Sequence, residues 1–437
     1  MLGALIGVRV VHFASTAMVF GVTLFRFQIA GVAFRQAWAA VSTIEKTYLE
    51  KLRWILWISL TLSALSGTMW LTVLAANISN EPIAEAVSDG TLWTVLTQTQ
   101  IGFVWIVRLI LAALLASWLL FVNPDDKGAF RSGWLPIFCA ASFMGSLAWS
   151  GHAGGTPGMD GDVHVASDFL HLIAAGAWLG GLLPLTLLLA SARYAQDQSM
   201  PVLLRAATFR FSTVGLFAVG TLFATGIVNA AILVGSFSAL LETNYGNLLL
   251  AKIGLFAVMV SVATINRLHL RPRLPNADAI RQLARNTWIE TGLGLSIIVI
   301  VSVLGILPPA AHMNLHNHVH TPSGSTSSDV AFVHIHSNRG MAEVTIAPDH
   351  PGVARASIRL MNDDLSPLAA NDVTFVLTPQ APTSTPPISR AATHLSDGTW
   401  EVVELKIARS GVWVVKLTVK TDAGEPFILD APIVIER

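Results

Sequence analysis

A chain of 437 residues that is 53% hydrophobic and 12% charged is too poor in charge for a water-soluble fold, in which about 25% of residues are charged. Its 27 basic and 27 acidic side chains cancel, which leaves no electrostatic footprint for nucleic acid. The single cysteine, Cys139, excludes an intrachain disulfide framework and any cysteine-based zinc cluster.

A polytopic membrane protein remains, and its spans need about 20 apolar residues each. Eight such stretches follow one another at roughly 4–26, 54–78, 101–122, 133–150, 165–190, 211–236, 247–266 and 287–309, the fourth being the shortest. Met1–Phe25 has no basic leader and too long an apolar run for a cleaved signal peptide. It is expected to be the first span. Residues 1–310 are therefore expected to form an all-α membrane bundle of about eight helices. Residues 311–329 form a linker rich in His, Ser and Thr. From 330 to 437 seven short apolar runs are broken by Gly, Pro and Asp: 330–335, 341–346, 354–361, 372–377, 400–407, 412–419 and 428–435. That spacing predicts a small all-β sandwich. No internal repeat is evident.

Loop charge sets the expected orientation. The connections after spans 1, 3, 5 and 7 hold fifteen Lys and Arg, from Arg26 to Arg285; the connections 79–100, 151–164 and 237–246 hold none. Both ends of the bundle, the 151–164 loop and the β-domain are then expected outside the cytoplasm. Twelve of the thirteen histidines fall on or near that side, and only His269 does not.

The stretch that concentrates chemistry is Gly151-His152-Ala153-Gly154-Gly155, then Met159 and His164, opening the fifth span. His164, Asp168 and His171 are spaced i, i+4, i+7 and share one helix face. At 1.5 Å per residue the two histidines are about 10 Å apart along the axis, too far for one ion. His164 with His152 and Met159 makes a candidate mouth site. His171 with His12, at similar depth in the first span, makes a candidate inner pair. Asp168 is either a ligand or the group that orients a ligating imidazole. Each has a plainer competing reading. A lone histidine near a helix end is most often satisfied by a backbone carbonyl, Met159 alone reads as a loop residue, and Asp168 has Arg9 and Arg108 as candidate ion-pair partners. Glu290 has Arg285, or snorkelling, as its plain reading. Cys139 reads as a packing residue. His316, His318 and His320 read equally as a tether or a metal-capture tract, and His334 and His336 as a solvated strand edge. Ionisable residues inside a membrane span nevertheless mark function by default.

Imidazole suits zinc, copper, iron and nickel, and thioether selects copper(I), so a His/Met set favours copper. No Walker motif and no Asp-Lys-Thr-Gly phosphorylation site are present, so neither ATP-driven pumping nor an enzyme activity is expected. Two rivals stand beside a transporter. One is a membrane b-type cytochrome with His12 and His171 as haem ligands; the other is a copper chaperone or sensor that holds metal without passing it.

The motifs resemble the CopD copper-resistance membrane protein family. The resemblance rests on Arg9-x-x-His12 with Gly21, Gly102-x-x-Trp105-x-x-Arg108, Gly151-His152-Ala153, and His164-x-x-x-Asp168-x-x-His171 followed by Ala177-Trp178-Leu179-Gly180-Gly181-Leu182. It continues through Arg210-Phe211-Ser212, Thr225-Gly226-x-x-Asn229, Tyr245-Gly246 with Lys252, Asn266-Arg267 and Glu290. The resemblance implies an eight-span protein of the bacterial inner membrane that moves copper from the periplasm towards the cytoplasm. It also implies a periplasmic copper-binding partner of the CopC type, with the β-domain as an appended periplasmic module.

Overall fold

The computed structural model describes residues 2–37, 42–79, 82–88, 90–121, 133–151, 158–191, 199–234, 236–307, 330–337, 340–362, 366–379, 386–395, 397–421 and 426–435. The chain divides into two compact units, Met1–Val319 and His320–Arg437.

The first unit is helical because its apolar runs are too long for strands and leave no polar face. The order is α1 (Leu2–Leu24), a π-helical turn Phe25–Ala30, α2 (Gly31–Ala37), α3 (Ser42–Ser79), the short α4 (Ile83–Ser88) and α5 (Thr91–Gln98), and α6 (Gln100–Phe121). Next come α7 (Trp134–Gly145), which continues as a 3-10 turn Ser146–Ser150, α8 (Gly158–Ser191), α9 (Met200–Val234), the short α10 (Phe237–Glu242), α11 (Asn244–Ile265) and α12 (Ala277–Leu304). Among the described residues seven helices are long and apolar enough to cross a membrane, so this is a multi-pass membrane protein. The eighth expected span is the shorter α7 with its 3-10 turn. Twelve α-helical and five 3-10 residues rise about 28 Å together, close to the roughly 30 Å hydrocarbon core. The tighter 3-10 coil gives a short segment extra reach.

Large apolar side chains such as Phe217, Phe223 and Phe103 are exposed around the bundle, as a lipid-facing surface requires. Its interior holds charged and polar groups instead: Arg9, His12, Thr16, Ser63, Arg108, His164 and Glu290 are all buried. Cys139 is buried in the apolar core, as a packing residue should be.

Two short outer helices lead into capped spans by one device. Thr99 accepts the Gly102 amide at 3.0 Å to start α6, and Thr243 accepts the Gly246 amide at 2.9 Å to start α11. A β-carbon on Gly102 would strike the Val95 and Leu96 carbonyls, and one on Gly246 the Ala239 and Leu240 carbonyls. The capping threonine and the bare glycine together let each short helix fold against its span.

α1 and α8 cross at backbone contact. A β-carbon on Gly21 would meet Gly180 and the Gly176 carbonyl, and one on Gly180 would meet the Ala17 carbonyl and Gly21. Small residues permit such approach, and van der Waals packing holds membrane helices together. Gly180→Val is predicted to cost about 1–3 kcal/mol or more, because the obstructing atoms are backbone and cannot rotate away. Gly220→Val, where a β-carbon meets nothing within 4 Å, should cost nothing. Equal yields of monodisperse protein from the two variants would refute the close crossing.

The second unit is a β-sandwich. Its strands are β1 (Ala331–Ser337), β2 (Gly340–Ala347), β3 (Gly352–Met361), β4 (Asp372–Pro379), β5 (Ile388–Ala391), β6 (Thr393–His394), β7 (Trp400–Ile407), β8 (Gly411–Lys420) and β9 (Phe427–Ile435). One antiparallel sheet has the order β1-β2-β3-β7-β6 and the other β5-β4-β8-β9. Alternate residues such as Val344, Ile358, Phe375 and Leu417 turn inward to a common core around Trp413. The seven expected strands are present. β5 and β6 are additional, four and two residues long, and lack the apolar alternation that reveals a strand.

Candidate functional site

Three groups of polar side chains stand out among the described residues of the membrane unit, the second of them half-buried. The first gathers on α1, α3, α6 and α7. His12 is fully buried, with its Nδ1 3.1 Å from both the Ser63 carbonyl and the Ser66 hydroxyl. Ser66 donates its own hydrogen to the Leu62 carbonyl at 2.6 Å, so Nδ1 must be the protonated nitrogen and Nε2 carries the lone pair. That lone pair accepts from Arg108 Nη2 at 2.9 Å. Arg108 also donates to the Phe143 carbonyl, the Ser146 hydroxyl and Thr16. Trp70 and Trp105 pack edge-on against the imidazole. Both ring nitrogens of His12 are thus engaged, and a haem iron has no free nitrogen to take here. Arg9 lies over the Trp70 ring, 4.8 Å from its centre, and donates to the Gly305 carbonyl at the end of α12, where the helix dipole favours a cation.

The second group gathers on α8, α9 and α11. His171 Nδ1 is 2.9 Å from the Thr225 hydroxyl, which itself donates to the Thr221 carbonyl at 2.6 Å. The same logic makes Nδ1 the protonated nitrogen and leaves the lone pair on Nε2. Among the described residues that nitrogen accepts no hydrogen bond. One turn earlier Asp168 accepts from Asn229 at 3.3 Å. Lys252 on α11 acts electrostatically on both Asp168 and His171, and Tyr245 is in the same field. The cation whose charge reaches Asp168 is therefore Lys252, through space and without an ion-pair contact among the described residues, in place of the expected Arg9 or Arg108. Those arginines are committed to Gly305 and His12.

The structure therefore distributes the expected inner pair over two clusters. His12 faces α3 and α6; His171 faces α9. His164 lies on the same helix as Asp168 and His171, within α8, and is buried. Of its expected mouth partners, His152 and the Met159 side chain lie outside the described residues, as do the linker histidines and the side chains of His334 and His336. Among the described residues no three His, Cys, Asp or Glu converge on one point.

The third group lies at the opposite end of the bundle. Glu290 is buried and accepts from Asn266 at 2.6 Å, and Asn266 accepts from Asn286 at 2.7 Å. Expected to pair with Arg285 or to snorkel, Glu290 is instead held by the Asn266 amide and the Trp178 ring, because it points into the bundle. A cavity of about 200 Å³ beside it is lined by Trp178, Thr208, Phe211, Arg267, Arg271 and Glu290, among others. Arg267, in the π-helical turn Asn266–Leu270 that follows α11, bonds α9 through the Ser212 carbonyl and hydroxyl, each at 2.9 Å.

Ser63, Ser66, Thr225 and Asn229 complete these groups as partners of the charged residues. Of these only Thr225 and Asn229 carry a sequence signal, as members of a glycine-containing motif in a membrane span. The serines of α3 look like ordinary small residues.

Two family models match the chain: copper resistance protein D over residues 205–304, and the N-terminal domain of copper resistance protein D-like proteins over residues 1–162. The chain is 30% identical over 321 residues to inner membrane protein YebZ of Escherichia coli, covering 70% of this chain and 98% of that protein. It is 29% identical to copper resistance protein D of Pseudomonas syringae, covering 56% of this chain and 83% of that protein. It is 28% identical to copper transport protein CutJ of Bacillus subtilis, over 51% of this chain and 40% of that protein. With nearly the whole of one relative matched and both models falling within the helical unit, this chain belongs to the copper resistance protein D family.

Proposed function

We propose that this protein carries copper across the bacterial inner membrane, from the periplasm to the cytoplasm. The observation that carries the reading is His171: a half-buried imidazole on a membrane helix whose lone pair accepts no hydrogen bond among the described residues, one turn from the Asp168 carboxylate. Imidazole and carboxylate are ligands for copper, and the hydroxyl of Thr225 fixes the tautomer from behind, as the outer partners of metal-bound histidines do.

Copper is captured at the outer end by His152, His164 and Met159, handed to His171 beside Asp168, and released towards the Glu290 end. The charge of Lys252 offsets Asp168, so the cluster is near neutral before the ion arrives. His12 supports the bundle through Arg108. Fifteen basic residues in alternate connections against none in the others support an orientation with both ends of the bundle and the β-domain in the periplasm. There a CopC-type protein is a fitting donor. The gradient drives passage, since the chain has no nucleotide motif.

Proteoliposomes holding the purified chain are predicted to accumulate copper faster than empty ones. Filling at the empty rate would sink the transport reading. Copper bound to the protein without any filling would establish the chaperone or sensor reading in its place.

A further inference from the structure

The His12 and His171 clusters match position by position. Six pairs are each 159 residues apart: Arg9 and Asp168, His12 and His171, Gly21 and Gly180, Ser66 and Thr225, Gly67 and Gly226, Trp70 and Asn229. The contacts match as well as the spacing. Each histidine gives Nδ1–H to the paired hydroxyl, at 3.1 Å in one case and 2.9 Å in the other. Each following glycine lies against the ring, with the imidazole Cε1 at 3.0 Å and 3.9 Å from where a β-carbon would stand. The residue three before each histidine meets the residue four after the hydroxyl: Arg9 stacks on Trp70, and Asp168 bonds Asn229.

The third helix repeats too, at a separation of 144 residues. Thr99, Gly102 and Arg108 correspond to Thr243, Gly246 and Lys252, with the same cap, the same close glycine and a cation in the same place. Finally, Gly21 touches its own counterpart Gly180. The Gly21 β-position meets the Gly176 carbonyl, and the Gly180 β-position meets the carbonyl of Ala17, the counterpart of Gly176. Reciprocal contact between equivalent residues is what a two-fold axis produces. Four crossings separate α1 from α8, so the copies run the same way and the axis follows the membrane normal.

We propose that the membrane unit is two copies of one four-helix module, each building a histidine site, and that only the second copy, at His171 Nε2, is open to a soft or borderline metal cation. In the first copy the guanidinium of Arg108 occupies the lone pair that a metal would need. The charges diverge in the same sense. The first copy sets two cations, Arg9 and Arg108, around its histidine; the second sets one carboxylate against one cation. Like charges repel in proportion to their proximity, so the first site repels an incoming cation and the second does not. The assignment rests on the copper reading above and narrows it to one intramembrane station.

The test compares His171→Gln with His12→Gln in the full-length protein. Copper(I) bound per folded chain is measured against a competing chelator, and initial copper uptake is measured in proteoliposomes. His171→Gln is expected to lose one bound copper and at least tenfold in uptake. His12→Gln is expected to keep its copper and to remain within twofold of wild type per folded chain, and His12→Asn serves the same purpose if the glutamine variant is unstable. Loss of one copper in the His12 variants, or none in His171→Gln, overturns the assignment while transport by the wild type still stands. A wild-type chain that neither binds nor passes copper overturns the reading beneath it.

Discussion

Arg108→Ala is expected to cost about 3–5 kcal/mol of stability. The guanidinium is fully buried and donates to four groups on three segments: His12 and Thr16 of α1, the Phe143 carbonyl of α7, and Ser146 of the 3-10 turn. Truncation leaves His12 Nε2 buried without its donor, the costly half of any hydrogen-bond deletion, strips one bond each from Thr16, Phe143 and Ser146, and opens a void where a large side chain stood. Breaking a buried polar network by removing one partner costs in this range. Arg108→Lys should recover only part of it, because an ammonium has three donors and no planar fork to serve α1 and α7 together. Thermal unfolding of the detergent-purified variants checks the order wild type, lysine, alanine. An alanine variant within about 0.5 kcal/mol of wild type would show that α1, α6 and α7 are held by apolar packing alone. Uptake per folded chain should be unchanged in the lysine variant, since Arg108 is placed as a support and not on the copper route.

The helical spans were legible because a membrane demands long apolar runs, and the alternating strands because a sandwich demands alternation. What the sequence hid was the duplication. Few residues of the two modules are identical, the paired glycines and histidines and Thr99 with Thr243 among them; most of the others have exchanged chemistry while keeping place. Arg9 became or came from Asp168, Trp70 from Asn229 and Arg108 from Lys252, and a 15-residue difference in connection length shifts the third helix out of step. A comparison of side-chain types sees no repeat there, whereas backbone contacts such as Gly21 on Gly180 preserve it. Helix spacing placed Asp168 and His171 on one face of α8, yet it gave no means to know which neighbouring helix each would meet. His12 and His171 lie at similar depths and were natural partners on that basis alone. Arg108 and Thr225 decide otherwise, because each claims one imidazole from a different helix.

Asp168→Asn and Lys252→Gln are expected to be harmful singly and compatible together. The two charges share one electrostatic environment among α8, α9 and α11. Removing either leaves the other half-buried and without its counter-charge, at a cost of about 1–3 kcal/mol; removing both leaves neutral amides in nearly the same volume. The double variant should therefore be more stable than at least one single variant, with a coupling of about 1–3 kcal/mol. Additivity within about 0.5 kcal/mol would mean that Lys252 does not neutralise Asp168. Copper uptake should follow a different pattern. If the carboxylate helps to hold or orient the ion at His171, its loss costs about 10- to 100-fold, and neutralising Lys252 does not bring it back. Stability restored without uptake in the double variant is the expected result and identifies Asp168 as part of the copper station. Uptake restored along with stability would show that Asp168 serves only as the counter-ion of Lys252, leaving His171 as the one protein ligand of that cluster.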